Sequence, residues 1–170
     1  MQVKNTAAAG GKRVFLDFLK LIQNGTAPAS TTAVHMAVKV DSADRTATAG
    51  TPSVITPVNA NMDDGSGAVS RVTVFSGAVA TIPAASAAAR LVARAQIKGG
   101  PTLNLDEYNV VFGGADNASQ GGYLTTVASY CSRVAPVVLG PGQNATIYLW
   151  FLSGATNAFS YEFELGLFER

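Results

Sequence analysis

The residues that could do chemistry are few and far apart. His35 is the only histidine of the chain and Cys131 its only cysteine. A zinc site of the common kinds needs three or four clustered Cys, His or carboxylate ligands. No such cluster exists around either residue, so no metal is expected, with His35 a structural histidine in a strand. Cys131 reads as a small buried hydrophobe, since free cysteine is among the most buried residue types. The stretch Asp63-Asp64-Gly65-Ser66-Gly67 offers carboxylates and exposed carbonyls, the ligands calcium prefers, but without the EF-hand spacing it reads as a solvated turn.

Nucleophilic catalysis requires a nucleophile, a base and a group that orients the base. Only one imidazole is on offer, and no Gly-x-Ser-x-Gly marks a serine elbow. Glu162 and Glu164 share a strand face, yet they sit side by side, whereas glycoside hydrolysis needs two carboxylates across a cleft. Gly113-Gly114 and Gly121-Gly122 lack the Lys-Ser/Thr pair that would make a phosphate cradle. The expectation is a protein that is not an enzyme, with no catalytic, cofactor-binding or metal-binding residues and no cofactor.

Binding chemistry is equally sparse. A sugar platform needs exposed aromatic rings, and the single Trp150 lies in a segment apolar on both faces, the mark of a central, doubly covered strand. The sequons at Asn24, Asn117 and Asn144 carry little meaning without a secretory route.

The elements that must position these residues are strands. Phe159, Tyr161, Phe163, Leu165 and Leu167 alternate with Ser160, Glu162, Glu164 and Gly166, the period of a half-buried antiparallel strand that runs to Arg170. Gly140 to Asn144 makes a turn between strands at 136–139 and 145–152. Val14 to Ile22 has a helix-like spacing of Phe15, Phe18, Leu19 and Ile22, but its shortness and its Gly-Gly and Asn-Gly flanks favour a strand. Further strands are expected at 33–40, 69–75, 90–98, 107–112 and, least distinctly, 123–134. Segment 50–64, with Pro52 and Pro57, reads as a loop holding at most a short edge strand. Residues 1–12 show no periodicity and read as an N-terminal arm that orders against a neighbour. About eight strands between Gly/Pro/Asn-rich turns imply an all-β fold, an antiparallel β-sandwich of the jelly-roll kind spanning residues 13–170 as one domain.

Composition narrows the partners. Charged residues make up 14% of the chain, against about 25% in ordinary soluble domains, and the net charge is +1. Lys and Arg are scattered apart from Lys12-Arg13 and Arg90/Arg94, so nucleic acid is not an expected partner. No apolar run reaches the length of a membrane span, and residues 1–12 lack a signal-peptide layout, which points to a protein made in the cytoplasm and used without Sec export. A surface with so few charges is poorly protected against close approach, so association with other chains is expected.

Several phrases taken together resemble virion structural proteins of tailed bacteriophages, the kind that coat or cement the head. They are Asp41 to Arg45 followed by Gly50-Thr51-Pro52 and Ile55 to Asn61, then Ala89 to Arg94, Asp106-Glu107-Tyr108, Leu139 to Gln143 and the closing Phe163 to Arg170. The family often has aromatic residues just before its final Glu-Arg, where this chain has Leu167-Phe168. The resemblance implies a decoration protein on the capsid surface of the virion. Its partners would be the major capsid protein and further copies of itself, as a trimer or dimer, with Met1 to Arg13 and Asp41 to Asp64 as contact segments. Alternatives are a self-assembling single jelly-roll major capsid protein and a glycan-binding module of a fibre or spike.

Overall fold

Alternating apolar residues become strands wherever one face can be buried. The computed structural model describes residues 1–24, 34–42, 51–55, 57, 69–76, 89–98, 104–113, 120–123, 128–151 and 160–170. Among them the strands are β1 (Gln2–Asn5), β2 (Val14–Asn24), β3 (Val34–Asp41), β4 (Thr51–Ile55), β5 (Ser70–Ser76) and β6 (Arg90–Lys98). They continue with β7 (Glu107–Phe112), β8 (Gln120–Tyr123), β9 (Ala128–Val134), β10 (Val137–Leu139), β11 (Asn144–Phe151) and β12 (Ser160–Glu169). No helix occurs among the described residues.

The first sheet has the order β4-β5-β1-β11-β3-β6, with every pair antiparallel. In the second, β2 is the organising strand. β12 pairs along its full length on one side, while β7 and β10 share the other. β9 and β8 extend the sheet beyond β7, and β7–β9 is its one parallel pairing among the described residues. The two sheets face each other across one apolar core. Val3, Val72, Met36, Val38 and Ile147 point inward from the first sheet, and Val14, Leu16, Leu19, Leu21 and Val110 from the second. Each such aliphatic side chain stabilises the fold by about 1.5–3 kcal/mol relative to exposure.

The all-β sandwich is what the patterning predicts, but two details differ. Twelve strands are present among the described residues, rather than about eight. Residues 2–5, expected in an N-terminal arm, form an interior strand between β5 and β11 in which Val3 is fully buried. Their weak periodicity hides this, because Gln2 and Asn5 are buried too and polar atoms carry part of the packing. β11 is central as expected, and Asn144, Ala145, Thr146 and Ile147 are all buried, so both faces of that strand are covered at this end.

The helix-like spacing in β2 has a local cause. Leu19 pairs with Leu165 and Phe18 with Gly166, but Leu16 pairs with Leu167, so Asp17 is an extra residue on β2. This bulge resets the alternation: Phe15 and Phe18 both face outward, three residues apart. Gly166 lies opposite it, where a Cβ would force the Phe18 ring to shift.

Candidate interaction surface

Three polar or amphipathic regions stand out, and only one faces solvent broadly. The first is a corner where both ends of the chain meet. Asn5 is fully buried and saturated: its Nδ2 donates to the carbonyls of Lys12 (2.9 Å) and Leu139 (3.0 Å), and its Oδ1 accepts from the Ala7 amide at 2.9 Å. Its backbone closes on the β10–β11 turn, with the Asn5 amide donating to Gln143 and the Gly142 amide donating to Asn5. Gly142 holds φ at +75°, a left-handed turn conformation that glycine adopts without strain. Glu169 at the end of β12 spans the sheets, one carboxylate oxygen accepting from the Val69 amide (2.9 Å), the Ser70 amide (2.8 Å) and the Ser70 hydroxyl (2.8 Å). Thr6 hydrogen-bonds the Val69 carbonyl, and Arg13 and Arg170 exchange backbone hydrogen bonds. At the other end of β1 the Met1 ammonium donates to the Ile147 carbonyl at 3.1 Å, and burial pushes its pKa down to about 6.

The second region is a polar group inside the core. Gln23, Asp106 and Tyr108 are essentially inaccessible. The Tyr108 hydroxyl lies 3.4 Å from Gln23 Oε1 and 3.3 Å from Asp106 Oδ2, at the long limit of hydrogen bonding. Tyr161 meets Tyr108 edge to face with centroids 6.3 Å apart. Burial, and then the charge of Asp106, pushes the Tyr161 phenol well above its ordinary pKa. Leu105 beside this group has φ +67°, a left-handed conformation costly for a residue with a Cβ. The Tyr108 side chain and the Asp106 carboxylate are buried here.

The third region is the outward face of the second sheet, laid out in cross-strand rows. Phe168, Phe15 and Val138 form one row, Gly166, Phe18 and Val111 the next. Glu164, Lys20 and Asn109 follow, then Glu162, Ile22 and Glu107. One end is therefore apolar and the other charged. At the apolar end the Phe15 and Phe168 rings stack at 4.8 Å with an interplanar angle of 3°, the Arg170 guanidinium lies 5.2 Å from the Phe168 centroid, and Phe168 is 40% exposed. At the polar end Lys20 and Glu107 pair at 3.3 Å, and Asn109 donates to Glu107 at 2.8 Å. That hydrogen bond, with the Lys20 charge, holds the Glu107 carboxyl below its ordinary pKa. Asn24 donates to Glu162 at 2.6 Å.

No family model, curated protein or solved structure matches this chain. Its surface must speak for itself. Glu162 and Glu164 are exposed side by side on β12, and His35 is a buried residue of β3 opposite Gln96. No group of three or more potential metal ligands occurs among the described residues. The backbones of Cys131 and Trp150 run in β9 and β11, but their side chains lie outside the described set, as do the Asp63-Asp64 loop, Asn117 and Gly114. Of the expected contact segments, residues 8–13 are exposed and 51–55 form the edge strand β4, while 2–5 are built into the sheet and 43–50 and 58–64 lie outside the described residues. The outward aromatic row was missed by sequence reasoning. The signal was present in Phe15, Phe18 and Phe168, but the bulge at Asp17 disguised which face Phe18 occupies.

Proposed function

We propose that this protein is a head decoration protein of the tailed-phage type, which lies on an assembled capsid lattice and stabilises it. The observation that carries the reading is the outward face of the second sheet, where Phe15, Phe168 and Val138 offer a flat apolar end beside a charged one. Contiguous exposed apolar surface with a polar rim marks a protein contact site. The low charge content supports the same conclusion, since few charges oppose close packing. A subunit that binds only the assembled lattice stabilises that state by its differential affinity, and many weak contacts add over a shell.

The test is co-sedimentation of the purified protein with heads lacking their decoration, alongside light scattering of the protein alone. Saturable binding to heads, abolished by Phe168→Glu, together with small discrete particles in the absence of heads, is the expected result. Megadalton particles formed by the protein alone would instead identify a shell-building subunit, and no binding to any head would overturn the reading.

A further inference from the structure

Five strands keep an unpaired side among the described residues, and their chemistry differs; one of them, β10, is only three residues long. β8 is four residues long, and β4 is five residues with Pro52 removing one backbone donor. The other two are long. β12 has ten residues and pairs only with β2, and β6 has nine and pairs only with β3, among the described residues. An unpaired strand edge is a template for another strand, and its side chains decide which one it accepts.

Each long edge carries one sign of charge toward solvent. On β12 the exposed outward residues are Glu162, Glu164 and Phe168, whereas on β6 the exposed residues are Arg94, Gln96, the 56% exposed Leu91 and, beyond a register shift and opposite Val40, Arg90. Glu164, Arg90 and Arg94 form no ion pair with the described residues. Like charges directly across a strand pair are destabilising and opposite charges stabilising. β12 therefore repels its own copy, β6 repels its own copy, and each attracts the other. The two edges also lie on opposite sides of the molecule: Glu169 anchors β12 to the start of β5, whereas β6 packs against β9 and β7.

From this we infer that β12 of one copy adds antiparallel to β6 of a second copy, joining the sheets of neighbouring molecules head to tail. Placing Glu164 opposite Arg94 sets Glu162 opposite Gln96 and turns Leu91 toward the Gly166–Phe168 end of β12. Such an interface uses two different surfaces, so it closes into a ring where the rotation allows. It concerns contacts between copies of this chain and holds whether or not the protein coats a capsid.

The experiment is sedimentation velocity of the full chain over a range of concentrations, with Glu164→Arg, Arg94→Glu and the double variant. All the substituted positions are exposed, and circular dichroism verifies the fold. The expected result is a discrete oligomer of the native chain, at least about ten-fold weaker in each single variant, where a like-charge pair replaces an opposed one. In the double variant the pair is restored with its signs exchanged, and association returns. A native chain that stays monomeric would overturn the inference, as would single variants that associate normally or a double variant that fails to recover. Association lost on Val54→Lys but untouched by the charge variants would assign the interface to β4 instead. No capsid is present in this assay, so its failure and that of the decoration reading are separate events.

Discussion

The molecule buries two groups of polar side chains and treats them differently. At the terminal corner every polar atom of Asn5 has a short partner, and one oxygen of Glu169 gathers three donors. Inside the core the Tyr108 hydroxyl lies 3.4 Å from Gln23 Oε1 and 3.3 Å from Asp106 Oδ2, and Gln23 Nε2 has no hydrogen-bond partner among the described residues. Asn5 and Gln23 are both fully buried, so depth alone does not decide what a polar group contributes. A saturated buried network fixes geometry, whereas a loosely satisfied one costs desolvation with little return.

The contrast is broken most directly at Asn5. Asn5→Ala leaves two carbonyls and one amide without their partners, and each buried orphan costs about 1–3 kcal/mol. A loss of about 3 kcal/mol is expected, read as a fall in melting temperature of roughly 10 °C for a chain of this size. A fall of only a degree or two would mean that the corner tolerates the vacancy.

Next in size is a pH effect at the same strand. The Met1 amine has an ordinary pKa of 8.0 and is held at about 6 in the fold. Between those values the unfolded chain binds more protons than the folded one, so stability rises with pH across this window and is steady on either side of it for this group. The amplitude is about 2–3 kcal/mol, since one pKa unit corresponds to about 1.4 kcal/mol. Denaturant titrations at pH 5.5 and 8.5 check this for the chain starting at Met1, and acetylation of the amine should remove the slope.

The core group should respond less, and in the opposite sense. Leu105→Gly relieves the positive φ and is expected to stabilise by about 1 kcal/mol, net of the extra freedom of glycine in the unfolded chain. Gln23→Met removes the orphaned amide at nearly constant volume, so the unfolding free energy from denaturant titration should stay within about 0.5 kcal/mol of that of the native chain. If Gln23→Met instead cost as much as Asn5→Ala, the difference between the two regions would disappear.

Much of the fold was legible in the sequence because one-sided burial writes itself as alternation. β12 is the clearest case: Tyr161, Phe163 and Leu165 lean on the core, and Glu162 and Glu164 stay in water. β1 was not legible, since two of its four residues, Gln2 and Asn5, are polar yet buried, and Asn5 donates to the Leu139 carbonyl, 134 residues away. β8 was hidden for another reason: Gly121 and Gly122 occupy its centre and carry no side chain to show a period. The outward aromatic row needed knowledge of the bulge, which depends on the pairing of β2 with β12 and not on β2 alone.

The position of β1 has a consequence for the order of events during synthesis. Val3 lies between Val72 and Ala145, so β1 has no complete seat until about 140 further residues have been made. At ordinary elongation rates that is a wait of about ten seconds or more. Throughout it β1 lacks one of its two neighbours, and its seating between β5 and β11 waits for β11 to be made.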